Sequence, residues 1–107
     1  MPYFLVQASY THESWAAMVK SPQNRAEAVK PVIEKLGGTL KGLWLAFGDY
    51  DAIALVEMPD NTSAAAFSLA AAATGALKAF KTTPLMTVEE GIKAMTQAGD
   101  IGYRPPK

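Results

Sequence analysis

Residues 39–58, TLKGLWLAFGDYDAIALVEM, hold two runs of β-forming residues, Thr39 to Phe47 and Ala52 to Met58, separated only by Gly48-Asp49-Tyr50-Asp51. A connection of about four residues rich in Gly and Asp joins antiparallel neighbours, because a crossover between parallel strands needs roughly a dozen residues or more. The segment is therefore expected to be a β-hairpin, and the rest of the chain must be arranged around that pair.

On its amino-terminal side, Ala26, Val29, Ile33 and Leu36 recur at helical spacing and Gly37-Gly38 supplies a left-handed stop. Ser21 is read as the N-cap of this helix and Pro22 as its first residue, where a missing N–H costs nothing. Pro31 lies inside and is expected to kink the helix or mark its restart, since it cannot donate to the Glu27 carbonyl. His12 to Val19 reads as a short separate helix. Before it, Tyr3 to Tyr10 alternates, with Gln7 and Ser9 on one parity and Phe4, Val6 and Ala8 on the other, as a half-buried strand does.

On the carboxyl side, Pro59-Asp60-Asn61-Thr62 ends a strand and caps an alanine-rich helix running to Ala73, with Phe67 and Leu69 as its large anchors and Thr74-Gly75 as its stop. Its small side chains predict a close approach to whatever it covers. Ala76 to Met86 is the fourth strand, with Pro84 confining its last part to an edge or a strand end. Thr87-Val88-Glu89-Glu90 is a capping-box pattern opening a third long helix, with Val88, Ile92 and Met95 on one face and Gly99 at its end. The tail from Asp100 to Lys107 is expected to be extended, with Tyr103 its docking point.

The order of elements is β-α-β-β-α-β plus a helix, the ferredoxin-like α+β plan: a four-stranded antiparallel sheet with its main helices on one face. The more polar parity of the first strand, Tyr3, Leu5, Gln7 and Ser9, is assigned to the other face. Ile53 and Leu55 alternate with Ala54 and Val56, and the strand around Trp44 is apolar on both parities. Both faces thus read as buried, which implies a second layer, most simply another copy of the chain.

Composition agrees. With 107 residues the chain reads as one domain, residues 1–107; 50% are hydrophobic, and ten basic side chains are balanced by ten acidic ones. Neutrality argues against nucleic acid as a partner. The absence of cysteine removes disulfides, thiolate catalysis and Cys-ligated metal, and one histidine cannot build a multi-imidazole site. No cofactor and no metal site is expected. The most apolar stretch, Ala64 to Ala73, is far short of the roughly 20 residues a membrane span needs, and Met1 to Tyr10 lacks the pattern of a secretory signal, so no membrane partner and a cytoplasmic location are expected.

Gly48-Asp49-Tyr50-Asp51 after an aromatic strand, then Met58-Pro59-Asp60-Asn61 and an alanine-rich helix, resembles the GYD domain family, named for its Gly-x-Tyr-Asp motif. The likeness extends from Tyr10-Thr11 through Arg25 and Gly37-Gly38 to Lys81-Thr82-Thr83 and Thr87-Val88-Glu89-Glu90. The resemblance implies a small bacterial protein whose protomer is of the dimeric α/β barrel kind, with two sheets closing on each other. The wider group of such barrels includes cofactor-independent monooxygenases, isomerases, haem enzymes and sensory domains, so activity does not transfer with the shape.

Several residues are candidates for chemistry. Asp49, Tyr50 and Asp51 bring carboxylates and a phenol together for proton transfer; alternatively Gly48 takes a special backbone conformation, the two aspartates bond turn amides, and Tyr50 packs beside the hairpin. His12 lies near Ser9 and Glu13 and is either part of a Ser-His-acid array or a solvated or hydrogen-bonded loop residue. Trp44 either stacks on a flat apolar ligand or fills a core or dimer interface. Gln7 and Ser9 complete the ligand-binding candidates. Arg25 either holds an anion at the start of its helix, or lies on a solvated helix face, or pairs with Glu27 or Glu13. The leading expectation is a homodimer binding a small apolar organic molecule between sheet and helices. The alternatives are a cofactor-independent enzyme acting on an aromatic or lactone-like substrate, and a purely structural or regulatory dimer.

Overall fold

The structure is a computed structural model and describes residues 1–106. Strand β1 (Tyr3–Tyr10) leads into helices α1 (His12–Lys20) and α2 (Arg25–Lys35), then strands β2 (Thr39–Leu45) and β3 (Ala52–Glu57), helix α3 (Asn61–Ala73), strand β4 (Leu77–Leu85) and helix α4 (Val88–Asp100). The strands form one antiparallel sheet in the order β2-β3-β1-β4. This is the ferredoxin-like α+β arrangement expected, with residues 39–57 as its hairpin.

Alternation in the two central strands divides the sheet into faces. Phe4, Val6, Ala8 and Tyr10 of β1 and Ala52, Ala54 and Val56 of β3 are buried beneath the helices, while Tyr3, Leu5, Gln7, Ile53, Leu55 and Glu57 point the other way and stay half-exposed. In β2 a bulge at Lys41 shifts the register, so that Thr39, Gly42 and Trp44 lie opposite Glu57, Leu55 and Ile53 on the uncovered face. From the bulge, the Lys41 ammonium reaches Glu57 at 3.1 Å.

The densest packing lies at one end of the molecule, where Phe4, Ile33, Val56, Met58 and Ala64 meet. Burial of each large side chain there contributes about 1.5–3 kcal/mol. Every helix start is capped by a side chain: Thr11 for α1, Asn24 for α2, Asp60 for α3, and a reciprocal Thr87–Glu90 box for α4. Gly37, at φ +83°, ends α2 in the left-handed conformation that glycine enters without strain, and the Gly38 N–H returns to the Ile33 carbonyl at 3.0 Å.

Some expectations need correction. Ser21 does not cap α2; its N–H donates to the Ala17 carbonyl as the C-cap of α1, and the N-cap of α2 lies three residues later, where the Asn24 side-chain oxygen Oδ1 accepts from the Ala26 and Glu27 N–H groups. No restart occurs at Pro31: α2 runs through it, with the residue exposed so that the carbonyl it cannot serve is left to water. Strand β2 stops two residues early, since after Ala46 donates to the Asp51 carbonyl the chain turns outward. Leu69 anchors nothing and is 71% exposed; two residues from Phe67, it stands on the opposite side of the helix. Asp100 belongs to α4, and Tyr103 is 78% exposed and docks nowhere. Lys107, the last residue of the expected tail, lies outside the described residues.

Helix α4 forms no substantial interface with any other element and buries none of its residues. Val88, Ile92 and Met95 do share a face, and that face is open. Among the described residues no helix is long and apolar enough to cross a membrane.

Candidate functional site

Helix α2 packs on β2 and α3 on β4, at opposite edges of the sheet. Between them the central strands offer only small side chains at one end, and a cavity of about 250 Å³ opens there. Its floor is Val6, Ala8, Ala52 and Ala54; Ala28, Val29 and Val32 form one wall, and Phe67, Ala70 and Ala71 the other. The close approach expected of the alanine-rich helix occurs at Ala64, which is buried in the core. About two turns farther along α3, Ala70 and Ala71 face the alanines of the sheet across the cavity, and neither side fills the space. Phe67 and Phe80 meet edge-to-face with ring centres 6.1 Å apart and close the wall over β4.

Polar groups gather at the end where β1 finishes. Tyr10, Arg25 and Thr74 line the cavity there. The Thr74 hydroxyl donates to the Ala71 carbonyl at 2.7 Å. Arg25, the first residue of α2, donates from Nη1 to the Gln23 side-chain oxygen at 2.6 Å, while its Nε is buried and has no acceptor. The ion pair expected with Glu27 or Glu13 does not form among the described residues, where the salt bridge is Lys41–Glu57 on the far face.

The Gly48–Asp51 hairpin lies directly behind this end. Gly48 takes φ +142°, a conformation that disfavours side chains. The Asp51 carboxylate does not bond turn amides: one oxygen accepts from the Tyr10 N–H at 2.9 Å and from the Trp15 indole N–H at 3.2 Å. The Asp51 N–H donates to the Ala8 carbonyl at 2.8 Å, and the Ser9 hydroxyl donates to the Asp49 carbonyl at 2.6 Å. Trp15 then packs edge-on against Tyr10, ring centres 5.3 Å apart. The turn is thus stitched to β1 and α1, holding Tyr10 as an end wall of the cavity. Among the described residues neither the Asp49 carboxylate nor the Tyr50 hydroxyl has a hydrogen-bond partner; Asp49 is exposed and Tyr50 half-buried.

The family comparison bears on the same elements, since the GYD domain model matches residues 4–95, from β1 into α4. The chain belongs to the GYD domain family. In this GYD domain the motif's aspartate is a strut whose carboxylate is used within the fold. No curated protein and no solved structure matches the chain.

The candidates named from sequence fall in three places. Ser9, Asp49 and Asp51 join in the hairpin stitching, with Ser9 only 1% exposed. Gln7 lies on the uncovered face between Ile53 and Lys81, and Trp44, on the far side of Ile53, is 58% exposed with its ring over Gly42. His12 opens α1 in solvent. None of Gln7, Ser9, His12 and Trp44 lines the cavity. Its ionisable lining groups are Tyr10 and Arg25, and no carboxylate or imidazole stands among the lining residues. Among the described residues no three His, Cys, Asp or Glu side chains gather as metal ligands. Such a site suits binding far better than proton transfer, which needs a positioned acid or base. The signal for it was present as core-facing Ala8, Ala52 and Ala54 opposite an alanine helix, small residues set against small.

Proposed function

We propose that this GYD domain binds a small apolar organic molecule in the cavity between α2 and α3, and that it works as a homodimer. The cavity carries the first part: an apolar concavity with a few polar groups at one end has the form of ligand sites generally, and here lies near the lower limit of their size. Native mass spectrometry of freshly purified protein tests it, with Ala52→Leu as the comparison because a leucine on the floor fills the space. Wild-type protein retains an organic ligand, or takes up 1-octanol when stripped, and the variant does neither while remaining as stable. Equal uptake by both, or none by wild type, overturns the reading.

The second part rests on the uncovered face, where Leu5, Ile53, Leu55 and Trp44 form a surface that no element of the same chain shields. Four strands about 4.8 Å apart and seven residues long give a footprint of roughly 450 Å², against about 800 Å² per partner in a standard interface. The apolar stripe of α4, a helix of about 20 Å, supplies further area. A second copy presents the same two surfaces and matches both.

A further inference from the structure

We infer that the ligand is an organic acid, an apolar body of roughly ten non-hydrogen atoms ending in one carboxylate that seats on Arg25. The inference rests on the cavity reading above and adds the class of molecule that fits.

Among the described residues Arg25 is the one cation lining the cavity. Its hydrocarbon stem belongs with an apolar wall, as arginine stems commonly do, but its head is only partly served. Nη1 is engaged by Gln23 at 2.6 Å. The opposite edge of the guanidinium, formed by Nε and Nη2, is the side-on fork that matches the two oxygens of a carboxylate. On that edge Nε is shielded from water and has no acceptor, the only buried side-chain nitrogen or oxygen among the described residues left in that condition. Buried donors are almost always satisfied, and an exception calls for an explanation. No carboxylate of the described residues supplies it: Glu27, two residues on, projects from a different side of the helix, and Glu57 is taken by Lys41 across the sheet. With the guanidinium turned so that this edge opens to the cavity, a ligand carboxylate bound to Nε and Nη2 satisfies the orphan donor and neutralises the only charge that the described residues bring to the cavity lining. Its apolar body then lies over Ala8, Ala52 and Ala54, where nothing polar competes for it.

Octanoate, 1-octanol and octylamine share a chain that fits this volume and differ in the head. Titration of the full chain with each at neutral pH, followed by calorimetry, separates them. Octanoate binds about tenfold or more tightly than octanol, as a charge-assisted hydrogen bond provides, and octylamine binds most weakly. In Arg25→Gln the preference for octanoate over octanol disappears. Equal binding of octanoate and octanol by wild-type protein overturns the inference and leaves the cavity reading standing. A preference that survives in Arg25→Gln does the same. If none of the three binds, both readings fall together. The wild-type comparison stands by itself should the variant fold poorly.

Discussion

Asp51 shows how a motif that looks catalytic is used in the fold. One carboxylate oxygen accepts from a strand backbone and from an indole, and the two donors belong to elements that otherwise touch lightly. Asp51→Ala strands the Tyr10 N–H beneath Trp15 and is expected to lower stability by about 2–4 kcal/mol, whereas Asp51→Asn, which keeps an acceptor, costs about 1 kcal/mol. Urea unfolding midpoints of the two variants check this; an unchanged midpoint in Asp51→Ala denies the strut. The presence of an aspartate in a turn was legible in the sequence, but its partners were not, because Tyr10 and Trp15 are brought to it by strand pairing over some forty residues of chain. Arg25 is the converse case. Its choice among anion, solvent and ion pair was visible beforehand, and only the geometry shows that no carboxylate of the described residues reaches it.

Caps set the helix starts and make two of them sensitive to acid. Asp60 accepts from the Ser63 N–H and Glu90 from the Thr87 N–H, and these bonds hold both carboxyls below their ordinary values of 3.8 and 4.5. A carboxylate depressed in the folded state stabilises at neutral pH, and that contribution is lost as pH falls through the depressed value. The first turns of α3 and α4 are therefore expected to loosen below about pH 4. Amide exchange at Ser63 reports it, and Asp60→Asn, which caps without titrating, removes the pH dependence at that site. Alternation made the central strands legible to within a residue or so, since Tyr3–Tyr10 and Ala52–Glu57 each carry a core-facing and an open parity. The start of α2 was not legible, for Ser21-Pro22 is as good a local signal as Asn24; in the fold Ser21 closes α1 through its N–H, and the side chain that receives the first amides of α2 is that of Asn24. The cavity escaped for a different reason: an alanine declares its size in sequence, but not whether its neighbours close in on it.

At the scale of the molecule, the radius of gyration is 17.1 Å, against about 13 Å for a compact chain of this length, and the extents of 57 × 35 × 22 Å show an elongated body. Projection of α4 away from the sheet accounts for the difference. A helix with an open apolar stripe and a sheet with an uncovered apolar face point to association, and sedimentation velocity at micromolar concentration is expected to give twice the single-chain mass. Leu55→Lys, in the middle of the uncovered face, should yield single chains with an unfolding midpoint close to wild type. Single chains already in wild-type protein would deny the homodimer. The two outer strands decide what form such an assembly can take. Pro84 lacks a backbone donor on β4, and the Lys41 bulge interrupts the ladder of β2. Growth by edge-to-edge addition of sheets, the route to a continuous fibre, is obstructed at both margins, so association through the apolar surfaces is expected to end in a closed assembly of defined number.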